Sequence, residues 1–243
     1  MYQPLHAVIL RTVRHSDTRL IVTTYTREAG RVTFAIPDSV TAAGNRRRAM
    51  LMPLSLVECV GDIRPSRELH RLRDLRLSPP LPRLHLNPTK SAIAMLLADI
   101  LATALREPQP DRLVYDFIAG GAMMLDGMTA GVANFHICFL IRLQHLLGIA
   151  PDMSGYRRGA QLDLAEGTVR ADGCLPVSAN SVLSADDTAA AAALARMHWR
   201  NLHLFKLSRD QRNAIIDTLL RYYTLHDIPI AGLKSLSTLR QLF

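Results

Sequence analysis

Through the first 80 residues, apolar and polar positions alternate in short runs. Residues 6–13, 19–26 and 31–36 are rich in Val, Ile, Thr, Tyr and Phe with polar residues interleaved, the period-2 pattern of half-buried strands. Between the second and third runs, Glu28-Ala29-Gly30-Arg31 is a hairpin signal, because Gly30 takes a positive φ at little steric cost. Residues 54–60 predict a fourth strand closed by Gly61-Asp62. Residues 68–77, where leucine alternates with charge, predict a fifth. Five short antiparallel strands in about 75 residues have the size of an OB-fold barrel, although an SH3-like barrel leaves a similar trace.

Pro79-Pro80-Leu81-Pro82 stops strand pairing, and beyond it the period becomes helical. Asn87-Pro88 sets a cap residue before a first-turn proline and opens a helix through Leu105. Helices follow over 111–125, 132–147 and 186–199. Another opens at the Ser208/Gln211 capping box and carries Ile215, Ile216, Leu219, Leu220 and Tyr223, and a short one spans 233–243. The 132–147 helix is apolar over most of its circumference and is therefore predicted to be central. Residues 150–183 read as irregular, with one short hairpin (161–164 and 167–169). The fold class is α+β: an N-terminal five-stranded OB-fold β-barrel over residues 1–80, then a mainly α-helical domain over residues 81–243.

Charge sharpens this division. The net charge is +8 and the pI about 9.9, and of 29 cations only Lys90, Lys206 and Lys234 are not arginine. Residues 1–80 carry 13 arginines against 7 carboxylates, a net of +6, and the remainder carries +2. A small basic domain beside a near-neutral one suggests a polyanion-binding module on a scaffold. Arginine suits phosphate because its planar fork donates two parallel hydrogen bonds to an oxyanion.

Three groups of arginines are candidate DNA-binding residues. Arg46, Arg47 and Arg48 form a run in a loop or short helix between strands. Arg64, Arg67, Arg71 and Arg73 lie on the last strand and its approach, with Arg67, Arg71 and Arg73 on one face if the stretch is a strand. Arg11, Arg14, Arg19, Arg27 and Arg31 belong to the first three strands and their turns. Adjacent arginines repel one another at a cost that an anionic partner offsets, although a solvated loop tolerates them too. Aromatics for base stacking are few (Tyr2, Tyr25 and Phe34), and aromatics on strands usually fill the core. The pattern points to phosphate-led binding.

Catalytic constellations are not assembled. The sequence has no G-x-x-x-x-G-K, G-x-G-x-x-G, G-x-S-x-G or H-E-x-x-H. Asp186-Asp187 is read as first-turn capping, since adjacent helical residues point apart. Gly120-Gly121 is read as a place of close helix packing. Sequence-distant carboxylates converging in space stay open. Cys59, Cys138 and Cys174 are scattered and odd in number, so neither a disulfide framework nor a zinc site is expected, and a reducing cytoplasm fits. No secretory signal is visible. The longest apolar stretch, 132–149, is interrupted by His136, Arg142 and His145, so a buried helix is expected rather than a membrane span.

Taken in order, several short segments resemble the RecO family of recombination mediators. Ala7-Val8-Ile9-Leu10-Arg11, Asp17-Thr18-Arg19-Leu20-Ile21-Val22 and Tyr25 through Val32 look like that family's first hairpin. Leu51-Met52-Pro53-Leu54 after the basic loop resembles its entry to the next strand. Phe139-Leu140 leading to Leu146-Leu147-Gly148 resembles its central helix and glycine stop, and Leu233-Lys234-Ser235-Leu236 with Leu239-Arg240 its closing motif. Many members of the family carry a four-cysteine zinc site in the region corresponding to about residues 152–178. Here only Cys174 remains, so no metal or other cofactor is expected, and the 163–167 turn is left to ordinary packing.

The resemblance implies a non-enzymatic DNA repair and recombination mediator, cytoplasmic and nucleoid-associated. Such a protein binds single- and double-stranded DNA and anneals complementary strands. It recognises the C-terminal tail of single-stranded-DNA-binding protein and, with the RecR partner, helps load the recombinase on coated DNA. An acidic tail needs an apolar pocket beside a cation, and Arg142 on the central helix is the candidate. The alternatives are an OB-fold RNA-binding protein and a metal-dependent nuclease.

Overall fold

The structure, a computed structural model, describes residues 2–64, 66–170, 181–230 and 232–242, so Cys174 lies outside the described residues. The chain forms two compact units, residues 1–129 with 232–243 and residues 130–231.

In the first unit, strands β1 (Tyr2–Ser16), β2 (Arg19–Thr26) and β3 (Gly30–Pro37) form an antiparallel meander. Helix α1 (Ala42–Met50) follows, then β4 (Leu56–Asp62) and β5 (Arg71–Leu77). The sheet order is β3-β2-β1-β4-β5. Its edges are not joined by a continuous ladder. A single parallel bridge, Phe34 to His70, pins them: the Ala35 amide donates to the His70 carbonyl and the His70 amide to the Thr33 carbonyl, each at 2.9 Å. The sheet is thus OB-fold-like and incompletely closed. Inward alternation places Leu5, Ala7, Ile9, Val22, Val32, Phe34, Val57 and Cys59 in one core, as expected for strands with one buried face.

The arginine run, expected in a loop or short helix, is helical: Thr41 caps α1 by accepting from the Gly44 amide. One sequence expectation is corrected: the fifth strand starts at Arg71 and not at residue 68, because the Arg67 amide bonds back to the Arg64 carbonyl and the His70 backbone pairs with β3 instead. Arg67 is therefore off the strand, whereas Arg71, Arg73 and Arg76 lie on it.

The prolines at 79–82 do end strand pairing, and Pro82 also begins a short helix, α2 (Pro82–Leu86), that the periodicity does not predict. Helix α3 (Pro88–Ala104) is capped by Asn87, whose side chain accepts from the Lys90 amide at 3.1 Å. Helix α4 (Arg112–Gly127) is capped by Asp111. The buried Lys90 ammonium donates to the Asp126 carbonyl at 2.7 Å, while the Asp126 carboxylate accepts from the Leu84 amide at 2.7 Å. One lysine and one aspartate thereby tie α2, α3 and α4 together.

In the second unit, a 3-10 turn at Val132–Asn134 leads into α5 (Phe135–Leu146), where Phe135 through Ile141 are all buried. The central position expected from its apolar circumference follows. A two-stranded hairpin, β6 (Gln161–Asp163) and β7 (Thr168–Arg170), precedes α6 (Ala185–Leu194) and α7 (Arg209–Leu225). Helix α6 ends five residues before the predicted 199. The Arg196 and Met197 amides close tight turns there, and Trp199 stacks on Phe135 at 5.1 Å. Asp186 and Asp187 sit in the first turn of α6, which Ser184 caps. The Ser208/Gln211 capping box opens α7. Helix α8 (Lys234–Leu242) belongs to the first unit, where Ser235 donates to Asp99 on α3 at 2.6 Å.

A buried carboxylate organises the hairpin. Asp163, fully buried, accepts from the Arg170 guanidinium at 2.8 Å, the Ser181 hydroxyl at 2.8 Å and the Ala165 amide at 3.0 Å. Burial acts to raise its pKa, but the hydrogen bonds led by Ser181 outweigh it and hold the group below its ordinary value. Asp163→Ala leaves Arg170 charged and nearly buried without this partner, and should cost about 3–5 kcal/mol in chemical denaturation. Because the folded pKa is depressed, the wild-type contribution is complete above the ordinary carboxylate range and fades as pH falls below it. The difference between wild type and variant should therefore shrink in acid.

Candidate nucleic-acid interface

The arginines expected to bind DNA fall into populations that sequence spacing does not distinguish. Arg31 is structural. It is half-buried on β3, and its guanidinium donates to the Ala102 carbonyl at 2.5 Å and the Leu105 carbonyl at 3.2 Å, at the C-terminal end of α3. A cation there answers carbonyls that have no helical partner. Burial, and then Arg106, lower its pKa. Arg27 pairs with Asp116 on α4 at 3.4 Å. Arg48 is also engaged, with the nearly buried Asp38 carboxylate, the Asn45 side chain and the Ser39 carbonyl. Arg47 donates to the Pro37 carbonyl at 2.8 Å.

Other arginines are held only at the surface. Arg14 pairs with the exposed Asp17 at 3.0 Å, and Arg73 approaches the exposed Asp74 at 3.7 Å. Such contacts are weak and screened. Arg64, by contrast, chelates both oxygens of the buried Asp62 at 3.1 and 3.2 Å, and this contact holds the Asp62 carboxyl below its ordinary range. Arg11, Arg19, Arg46, Arg67 and Arg71 are exposed, and among the described residues none makes an ion pair.

The fold gathers these groups. Arg19 pairs in register with Pro37, whose carbonyl receives Arg47. The β1–β2 turn with Arg14 and Arg19 therefore shares one end of the sheet with α1 and its Arg46. The β4–β5 connection carries Arg64 and Arg67 and runs into Arg71 and Arg73 on the edge strand. In an OB-fold, the β1–β2 and β4–β5 loops flank the oligonucleotide-binding surface. Of the aromatics, Tyr25 and Phe34 are core, whereas Tyr2 is 49% exposed.

In the second unit, α5, α6 and α7 with the β6–β7 hairpin enclose an apolar groove of about 350 Å³, lined by residues such as Ile141, Met153, Leu164, Leu183, Leu194 and Leu219. Asp187 and His145 also line it, and Arg142 does not. Arg142 is half-buried on α5 beside Cys138, whose thiol is pushed up to about 12, mainly by burial. Cys59 is likewise raised to about 11 by burial, so neither thiol is activated as a nucleophile. Among the described residues, no group of three His, Cys, Asp or Glu is placed to share a metal ion. No helix among them is long and apolar enough to cross a membrane.

These features define a class: an α+β protein whose basic, OB-fold-like sheet turns unpaired arginines to solvent. Comparison with known proteins resolves it further. Residues 1–80 match the family model for the N-terminal part of recombination protein O, and residues 85–236 match the model for its C-terminal part. The chain is similar along its whole length to the DNA repair protein RecO of Bacteroides fragilis (31% identity) and of Phocaeicola vulgatus (33%), in both cases covering all of the relative. It is 31% identical to that of Porphyromonas gingivalis, over 98% of this chain and 97% of the relative. The chain belongs to the RecO family of DNA repair and recombination proteins. That family is one of recombination mediators and not of enzymes, which sets the nuclease alternative aside.

Arg31→Ala should lower stability by about 1–2 kcal/mol, the scale of charged hydrogen bonds at a partly exposed helix end. It should leave the salt dependence of DNA binding unchanged, which titrations at several salt concentrations would show.

Proposed function

We propose that the chain binds single- and double-stranded DNA through the arginine-bearing outer surface of its N-terminal sheet, anneals complementary strands, and assists recombinase loading on DNA coated with single-stranded-DNA-binding protein. The observation that carries this reading is the set of exposed arginines without carboxylate partners among the described residues (Arg11, Arg19, Arg46, Arg67 and Arg71), with Arg14 and Arg73 held only by surface pairs and Arg64 exposed but bound to the buried Asp62. A surface that accepts phosphates from two strands lowers their mutual repulsion, which is what annealing requires. Arg47 and Arg48 contribute long-range charge, but their donors are largely committed to Pro37, Ser39, Asn45 and Asp38.

The same reading takes the acidic C-terminal tail of single-stranded-DNA-binding protein and RecR as partners. The apolar groove of the second unit supports tail docking by its size and lining. Arg142→Ala should weaken binding of an acidic, phenylalanine-ended peptide while leaving binding to bare DNA nearly unchanged. Because Arg142 stands off the groove, Leu219→Asp is the companion variant. Weakened peptide binding in Leu219→Asp alone would keep the groove and remove Arg142 from it.

For DNA, removing one arginine that touches a phosphate should flatten the slope of log K against log salt by about 0.7 on single strands. Arg46→Ala with Arg71→Ala should therefore reduce the slope by about 1.4, alike for different base compositions, with the melting temperature unchanged. Arg48→Ala should instead lower the melting temperature, since it strips Asp38 of its ion pair. An unchanged slope in the folded double variant would remove these two arginines from the DNA surface.

A further inference from the structure

Only one aromatic of the N-terminal sheet's strands avoids the core. Tyr25 and Phe34 are 3% and 0% exposed, whereas Tyr2 is 49% exposed. Alternation along β1 sends Leu5 and Ala7 inward, and so places Tyr2, Pro4 and His6 on the outer face. Strand register extends this face across β4 and β5 in three rows: Tyr2 with Asp62 and Arg71, Pro4 with Val60 and Arg73, His6 with Glu58 and Arg76. Every row ends in an arginine on the edge strand.

The rows differ in what their arginines have left to give. Arg76 is tied to Glu58, which also accepts from Ser78. Arg64 holds Asp62, the carboxylate between Tyr2 and Arg71, and Arg71 makes no ion pair among the described residues. Arg73 lies over the Tyr2 ring, its guanidinium carbon 4.3 Å from the centroid. That arrangement covers one face of the ring and fixes its attitude, yet half of the side chain stays open to water. The neighbouring rows of the same face, with Pro4, His6, Glu58, Val60, Asp74 and Arg76, line a cleft of about 300 Å³ that Tyr2 and Arg73 do not enter.

We propose that Tyr2, braced by Arg73, is a base-stacking platform for single-stranded nucleic acid, with Arg71 placed to take the adjoining phosphate. This rests on the DNA-binding reading above and adds a mode of recognition that phosphate contacts alone do not supply. A planar ring with one face held by a guanidinium stacks any base on its other face, without reading its identity. In a duplex the bases are already stacked on one another, so the platform discriminates for single strands.

The test compares binding of a labelled oligothymidylate, a strand of equal length made of abasic spacers, and a duplex, at one salt concentration. Tyr2→Ala and the bulkier Tyr2→Leu should weaken oligothymidylate binding about fivefold or more, the lower end of what one stacked base contributes. Binding to the abasic strand and the duplex should change less than about twofold, and Tyr2→Phe should behave as wild type. Equal weakening on oligothymidylate and abasic strands, or no weakening on either, would overturn the platform while leaving DNA binding intact. Failure of the wild type to bind any of the three would overturn the DNA-binding reading and the platform with it.

Discussion

The docking of the β2–β3 hairpin against the loop between α3 and α4 is the constraint on which the first unit depends. Gly30 stands at φ +63°, and a Cβ there would lie 2.5 Å from the Gln109 carbonyl oxygen. Only glycine meets both demands, a left-handed backbone and a near-touching neighbour. One residue on, Arg31 takes the carbonyls that end α3, and the Tyr25 hydroxyl accepts from the Asp111 amide at 3.1 Å. Three contacts from one hairpin make the sheet and helices α2–α4 a single compact body. On the outer face, Tyr2, Pro4 and His6 of β1 and Arg71, Arg73 and Arg76 of β5 stay exposed, whereas Val8 and Leu10 further along β1 are buried.

That arrangement explains why arginine is so abundant in residues 1–80 without every arginine serving one purpose. Some are consumed by the fold: Arg31 on helical carbonyls, Arg48 on a nearly buried aspartate, Arg27 beside α4. The others stand on β1, α1, the turns and the edge strand, where they are unpaired among the described residues or held by carboxylates such as the exposed Asp17 and Asp74. Edge strands need charge to discourage pairing with other chains. Arginines on β5 meet that need, and they are also among those proposed to bind DNA.

In the second unit a carboxylate at the centre of a hairpin does the organising. Asp163 gathers Arg170, Ser181 and the Ala165 amide. The resemblance to RecO places a four-cysteine zinc site in this region of many relatives. Here the neighbouring segments are tied by hydrogen bonds that need Asp163 ionised. The stability of this unit is accordingly sensitive to acid.

Much of this was legible in the sequence, because the signals involved are local. Strand alternation, the caps at Asn87 and Ser208, the hairpin at Gly30 and the apolar circumference of α5 each depend on residues within a few positions of one another, and the family resemblance rests on such segments in order. What the sequence left open is set by partners distant in the chain. Arg31 and Arg71 are indistinguishable as letters, and only the approach of α3, some 70 residues away, makes one a helix cap. Tyr2 looks like a core aromatic until strand register puts it on the outer face beneath Arg73, and Asp163 looks like a turn residue until Arg170 and Ser181 close around it. Propensity and alternation determine the elements, whereas desolvation and charge pairing across the fold decide which of several identical side chains remains free to bind.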